Sequence, residues 1–343
     1  MKKIILFLGL VISNSILAQD IHFSQIAFST QLINPAAYGN HDGWERFGIH
    51  QKNQYLSSGK YSTSLAYFDG PLFKSHKNPT AKAHFGFGIQ LYNDMSGNGI
   101  VANRGAKMGL SSIIPVSKSS VISFGVEGGM AQQSVDFSRL NFGNQFQGND
   151  FNKSIASNEG LVFQSNVVSP ELAGGFMYRY KNYSRVLNAK SNFWFQTGIS
   201  AYHLLNSART MKQYDLMMPR KYVFHSEMEN MISKGLLLNV KLNQYIQQKQ
   251  YQTILSAILS VQVNNHSLVT TNNKPMRIGG GLTYRLMDAI IPTFMLEWNE
   301  FVFLASTDLR TSKLANSRMG GFEFSIKYAR GNHSISSKSI MFK

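Results

Sequence analysis

The stretch "KAHFGFGIQLYND", residues 82–94, carries the decisive pattern. Phe85, Phe87, Ile89 and Leu91 fall on one face, and Gly86, Gly88 and Gln90 on the other. Alternation with a period of two marks a strand with one apolar face. The pattern recurs in "KGLLLNVKLNQY" (234–245), where Leu236, Leu238, Val240 and Leu242 alternate with Asn239, Lys241 and Asn243. It recurs again in "GGFEFSIKYAR" (320–330), where Phe322, Phe324, Ile326 and Tyr328 oppose Glu323, Ser325 and Lys327. A water-soluble sandwich alternates in the same way, so length has to separate the two. Many of these segments run about 10–13 residues, against roughly 5–6 for a globular strand and about 9–11 for a tilted strand crossing a bilayer.

Working outward, alternating segments are expected at 44–53, 59–68, 82–93, 102–114, 119–131, 170–180, 191–203, 220–231, 234–246, 250–263, 276–286, 288–298, 300–308 and 318–329. An even count closes an antiparallel barrel with both ends of the strand series on one side. The fold class is therefore all-β, an antiparallel transmembrane β-barrel of about 14 strands. Tyr61, Tyr67, Tyr92, Trp194 and Trp298 lie near segment ends, as an aromatic girdle would place them. Pro71, Pro79, Pro115, Pro170, Pro219 and Pro275 fall between segments or at their starts, where a missing N–H does no harm. Pro292 lies inside the twelfth segment, and a bulge is expected there.

Ahead of the barrel, Met1-Lys2-Lys3 and the apolar run "IILFLGLVISNSIL" read as a signal peptide ending at Ala18. Asn14 and the polar flank from Gln19 argue against a spanning helix. The organisation is then 1–18 signal peptide, 19–43 N-terminal periplasmic strap or plug, 44–330 outer-membrane barrel and 331–343 C-terminal tail. With 19–43 on the periplasmic side, 94–101, 132–169, 204–217 and 309–317 face outward, and 115–118, 232–233 and 298–300 make short inner turns. The inner connections 69–81 and 264–275 are longer than such barrels usually have.

Composition narrows the function. The chain has no cysteine, which removes thiolate metal sites, and its nine histidines show no ligand spacing. The net charge of +16 is dispersed, and behind a signal peptide it points to anionic lipid head groups or acidic proteins, with no nucleic acid. "GGG" at 279–281 lacks the frame of a phosphate-binding loop. His84, His203 and His225 lie on strands without a recognisable Ser–His–acid set. Glu127, Glu227, Glu229, Glu297 and Glu323 read as lumen-facing partners of lysine and arginine. No catalytic residue, cofactor or metal is assigned, and the chain reads as non-enzymatic.

The segment "QDIHFSQIAFSTQLINPAAYG" (19–39) resembles the mature N-terminus of the PorP/SprF-like family, outer-membrane proteins of the type IX secretion system and gliding motility in Bacteroidota. The resemblance rests on Gln19, Asp20, His22, Phe23, Ser24, Gln25, Asn34, Pro35, Ala36 and Gly39. Ile21 stands where a proline is usual, and Tyr38 where a small residue is usual. "GFGIQLYNDMSGNG", "VDFSRLNFGNQF", "MPRKYVFH" and "TSKLANSRMGGFEFSIKY" extend the similarity over 19–330. The resemblance implies a barrel that helps export or anchor cell-surface proteins, such as adhesins with a type IX C-terminal domain, and that contacts the periplasmic machine. A passive channel or small-solute transporter is the alternative. Phe23, Ile26, Phe28, Leu32 and Ile33 are expected to pack into or under the barrel mouth, with Asn34-Pro35 turning the chain. The long outward connection carries Phe137, Phe142, Phe146, Phe151 and Phe163, and the connection at 204–217 carries Arg209, Lys212 and Tyr214. Aromatics in a long loop suit a partner-docking surface.

Overall fold

The computed structural model describes residues 29–56, 59–75, 82–97, 100–136, 139–147, 150–152, 154–156, 166–182, 193–205, 218–233, 235–264, 276–311 and 319–330. The expected signal peptide, residues 19–28 and the tail 331–343 lie outside them. Among the described residues the barrel strands are β1 (Arg46–Leu56), β2 (Gly59–Leu72), β3 (His84–Ser96), β4 (Val101–Pro115) and β5 (Ser120–Val135). They continue as β6 (Asn166–Asn182), β7 (Phe193–Tyr202), β8 (Lys221–Ser233), β9 (Leu236–Gln247) and β10 (Gln250–Asn264). The series ends with β11 (Met276–Arg285), β12 (Ala289–Trp298), β13 (Phe301–Arg310) and β14 (Met319–Ala329).

Each strand pairs antiparallel with its sequence neighbours, and β1 pairs β14 from Arg46 opposite Ala329 to Asn53 opposite Phe322, closing the barrel. The start of β1 and the end of β14 therefore share one end, here the near end. The connections 136–165 and 203–220 lie at the other, far end. The alternation in sequence becomes a two-sided wall. In β3, Phe85, Ile89 and Leu91 are exposed, whereas His84, Gly86, Gly88, Gln90 and Tyr92 are buried toward the lumen. An apolar outer wall and a polar inner wall reverse the arrangement of a soluble protein, as a bilayer requires.

The apolar outer surface ends abruptly at the far end of β1–β5. One row of outward residues runs Ile49, Ala66, Leu91, Ala106, Met130. The next row toward the far end runs Gln51, Ser64, Asn93, Arg104, Gln132. Gln51 bonds Ser62 and Ser64, Arg104 bonds Asn93, and Gln132 bonds Asn166. This polar row bounds the apolar surface on β1–β5, flanked by Phe324 on β14 and Val168 on β6, and the strands continue beyond it.

Several sequence expectations are corrected here. The connection expected at 132–169 spans only 136–165, because β5 and β6 keep pairing past the apolar band through Gln132, Gln133 and Ser134. Pro170 lies within β6, opposite Met130. Pro71 lies within β2, opposite Gly86. No bulge forms at Pro292. Its pairing with Leu282 belongs to an unbroken run along β11, and the ladder to β13 omits Ile291 and Pro292 without changing register. The absent N–H removes ladder contacts on one side and needs no inserted residue. Register shifts occur instead at Met231/Ser233, Gln262/Asn264 and Asp308/Leu309.

The girdle is also redrawn. Tyr67 and Tyr92 are buried in the lumen, and Trp194 points inward to Glu229; Tyr61 shares the face of Tyr67. Outward aromatics include Phe47, Phe68, Phe85, Phe124, Trp298 and Phe301 toward the near end, and Tyr222, Tyr251, Tyr284 and Phe322 toward the far end.

The register makes a direct prediction. Arginine at Ile89 or Phe324, 42% and 38% exposed on the outer wall, is expected to cost about 2–4 kcal/mol at mid-membrane depth. Reversible denaturant unfolding in lipid measures it, and a cost near zero contradicts the register. Gly88 and Ser325 face the lumen but do not offer the permissive contrast their polar faces suggest. A Cβ on Gly88 lies 2.0 Å from the Tyr38 ring, and Ser325 is packed against His50.

Candidate functional site: the plugged lumen and the far face

Residues 29–40 occupy the lumen. Ser29, Thr30, Gln31, Ile33, Asn34, Pro35, Ala36, Ala37, Tyr38 and Asn40 are all buried. Two short 3-10 turns, Thr30–Leu32 and Pro35–Ala37, compact this stretch. Asn34 builds the second turn by accepting the Ala36 N–H at 2.9 Å on Oδ1. Pro35 at the first position loses no hydrogen bond, since that N–H would have no helical partner. The amide of Asn34 donates to Phe176 O at 2.9 Å, Ile199 O at 3.3 Å and His225 Nε2 at 2.9 Å. One side chain thus ties the turn to β6, β7 and β8.

The other contacts go round the wall. Ser29 meets His50 at 3.0 Å and donates to Tyr67 at 3.2 Å, while His50 also contacts Ser325 at 2.7 Å. Gln90 donates to Gln31 O, Gln196 to Thr30, Ser123 to Ala36 O, and Ser111 to Tyr38 O. The Tyr38 hydroxyl donates to Glu127. Backbone groups removed from water in a lumen need partners, and the inward polar side chains supply them.

Glycines shape the slot. A Cβ at Gly86 falls 2.1 Å from Tyr38 O, at Gly88 2.0 Å from Tyr38 Cδ1 and at Gly109 2.4 Å from Tyr38 Cε2. A Cβ at Gly125 falls 2.3 Å from Pro35 C, at Gly175 2.1 Å from Asn34 Oδ1 and at Gly198 2.6 Å from Asn34 Nδ2. Gly39 adopts φ +62, a left-handed conformation suited to glycine, and its N–H donates to Asp69 at 2.9 Å. The Asn34-Pro35-Ala36…Gly39 motif is therefore complementary to the inner wall, and each of its residues sits against a wall glycine or carboxylate.

At the near end the chain leaves the lumen through a charged latch. Asp42 binds Arg179 at 2.9 Å and also Lys181. Lys74 donates to His41 O at 3.0 Å and Gly43 O at 2.9 Å. Burial would raise the Asp42 carboxyl, but Arg179 and Lys181 outweigh it and hold it well below the usual carboxylate range. Its contribution is present above that range and is lost only as pH falls through the depressed value. Burial draws Lys74 down to about 8.

The expected inward carboxylates find cations. Glu127 and Glu171 flank Lys107 at 3.8 and 2.8 Å, and Glu227 meets Lys241 at 3.2 Å. Arg277 bridges Glu229 and Glu297 at 3.2 and 2.7 Å, and Lys52 meets Glu323 at 2.9 Å. Paired this way, these inward carboxylates are compensated within the wall itself. The opposite wall also carries a buried apolar group, Ile258, Met295, Val302 and Leu304.

At the far end, part of the connection after β5 has its own fold. Phe146 and Phe151 pair as a two-residue ladder with ring centroids 5.3 Å apart, and they are 51% and 37% exposed. Gln145 is buried beneath, accepting from Phe142 N–H at 3.1 Å and donating to Ile155 O at 2.9 Å. Phe142 is half-buried. Phe137, Phe163, Arg209, Lys212 and Tyr214 lie outside the described residues, as do Gln19, Asp20, His22, Phe23, Ser24 and Gln25. Asn34, Pro35, Ala36 and Gly39 are brought together in the plug. Sequence reasoning missed His50, Ser111, Ser123, Gln196 and the six slot glycines as the plug's receptor. The available signal was the glycine enrichment on the polar faces of the strands.

Comparison with known proteins gives one family match. The model of the family described as type IX secretion system membrane protein PorP/SprF matches residues 15–328. No curated protein matches the chain. Among solved structures, the chain is similar to the TodX deltaS2S3 mutant monoaromatic hydrocarbon channel, with 8% identity, 88% of this chain and 94% of that one covered, and a TM-score of 0.47. It is similar to the P. putida toluene transporter TodX, with 10% identity, 88% and 93% covered, and a TM-score of 0.44. It is similar to BamA from Haemophilus ducreyi lacking POTRA domains 1–3, with 10% identity, 84% and 70% covered, and a TM-score of 0.41.

Proposed function

Because the chain belongs to the type IX secretion system membrane protein family PorP/SprF, we propose that it is a non-enzymatic outer-membrane barrel that helps export or anchor cell-surface proteins. Its partners are exported proteins with a type IX C-terminal domain, gliding adhesins among them, together with periplasmic parts of the machine. In this reading Met1–Ala18 is a cleaved signal peptide, the near end faces the periplasm and the far end faces outward.

The observation that carries the reading is the contrast between the two parts of the site. The lumen holds the chain's own residues 29–40, while the far face presents the exposed rings of Phe146 and Phe151 on a folded hairpin. A passive channel needs an open bore. A docking barrel needs a shaped outer face with aromatic anchors. The half-buried Phe142 and the buried Gln145 support the hairpin from below.

Photoreactive residues placed at Phe146 and Phe151 in the native cell test the reading, with Lys118 at the near end as a control. Crosslinks from the hairpin positions to a protein with a type IX C-terminal domain are the expected result. Absence of crosslinks from the hairpin, with the barrel correctly assembled, removes the far face from the mechanism.

A further inference from the structure

On the outer wall, at the boundary between the apolar band and the polar row, Leu91, Asn93, Arg104, Ala106, Met130 and Gln132 line a groove of about 410 Å³. We propose that this groove seats one phosphate-bearing lipid of the leaflet at the far end, with Arg104 holding the phosphate.

The lower part of the groove suits an acyl chain. Leu91 and Met130 are 55% and 64% exposed on β3 and β5, on either side of the small side chain of Ala106 on β4, and Val168, 58% exposed on β6, adds an apolar edge one row higher, opposite Gln132. Leu91 and Met130 lie in the last apolar row, directly beneath the row of Asn93, Arg104 and Gln132. The upper part suits an anion. Arg104 lies opposite Asn93 in the ladder, and its Nε donates to Asn93 Oδ1 at 3.0 Å. That bond engages Nε, so the two Nη groups are the donors offered to a ligand. A planar fork of N–H donors matches phosphate oxygens better than an ammonium does.

Among the described residues the lining contains no carboxylate to compete for the guanidinium. From inside, the Tyr92 ring covers Gly105, where a Cβ would lie 2.4 Å from Tyr92 Cζ. The floor is thus supported against collapse. An apolar wall below and a cation above, both on the outward face of the barrel, together describe a lipid and not a soluble anion. The inference rests on the membrane reading of the barrel and is independent of adhesin docking.

Native mass spectrometry of the full barrel tests it, after exchange into mild detergent with defined additives. The additives are a phosphorylated glucosamine lipid, phosphatidylglycerol, diacylglycerol and inorganic phosphate. The two phosphorylated lipids are expected to remain bound, and diacylglycerol and inorganic phosphate to leave. Arg104→Gln is expected to lower retention about tenfold or more, the effect of losing a charge-assisted pair, and Arg104→Lys to restore part of it. Ala106→Phe, which fills the groove but keeps the cation, is expected to abolish retention. Lys118→Gln at the near end is expected to change nothing. Heat-modifiable gel mobility verifies that each variant has assembled. Equal retention by Arg104→Gln, or of diacylglycerol by the parent, overturns the proposal in favour of ordinary annular lipid. Binding of inorganic phosphate that survives Ala106→Phe overturns it in favour of a simple ion site.

Discussion

Valine at both Gly88 and Gly175 is expected to give a conducting barrel, where the parent is expected to be electrically silent. The two positions sit at opposite ends of the plug motif. A Cβ at Gly88 meets the Tyr38 ring at 2.0 Å, and one at Gly175 meets Asn34 Oδ1 at 2.1 Å. Both are on ladder strands whose backbone cannot retreat without breaking pairs with β2, β4, β5 and β7. Overpacking of this kind costs about 1–3 kcal/mol per site. Against it stand the plug's hydrogen bonds, each worth about 0.5–1.5 kcal/mol net. Two clashes at separate anchors therefore compete with several bonds at once. The wall keeps its own interstrand pairing, so heat-modifiability is expected to persist while planar-bilayer recordings gain discrete conductance steps. An assembled double variant that stays silent argues that the lumen is closed by something other than this segment.

The second large effect concerns the far face. Removing residues 144–160 while keeping β5 and β6 deletes the Phe146–Phe151 ladder and the Gln145 that supports it. If this surface docks the exported partner, surface display of the cognate adhesin is expected to fall to a small fraction of the parent level. Barrel assembly is expected to continue, because β5 and β6 pair independently of the loop from Ser120 opposite Tyr180 to Ser134 opposite Asn166. Normal display by an assembled deletion variant removes the loop from the mechanism. A hairpin that only shielded the barrel mouth would leave display intact, with the lumen still closed by residues 29–40.

The strand series was legible because a bilayer imposes a strict two-residue period and long segments, and neither depends on distant contacts. The limits were missed where that cause stops acting. In β5 and β6 the ladder continues past the apolar band, so Gln132 and Gln133 read as loop although they pair with Val168 and Val167. The direction of an aromatic was legible only where its neighbours fixed the face. Tyr67 and Tyr92 sit at girdle-like positions yet turn inward to cover Gly48 and Gly105, whose missing side chains are on facing strands.

The plug's location depends on contacts between residues separated by more than a hundred positions, such as Asn34 with Phe176, Ile199 and His225. Local pattern carries no trace of those pairings. Tyr38 is the instructive case. It stands where the resembling family has a small residue, and Gly86, Gly88 and Gly109 make room for it. The departure in the motif and the glycines on β3 and β4 are two halves of one fit.

Residues 29–40, lying inside the barrel, are expected to act as its seal. Because the chain contains no cysteine, one introduced thiol reports its surroundings alone. Ala37, 3% exposed in the plug, accepts cysteine with little change in volume, and Gln147 on the far hairpin is an exposed control. A membrane-impermeant maleimide is applied to folded barrels in lipid with both faces accessible. Rapid labelling of Gln147→Cys is expected, with Ala37→Cys protected until the barrel is heat-unfolded. Equally rapid labelling of both thiols in the folded barrel would contradict the seal.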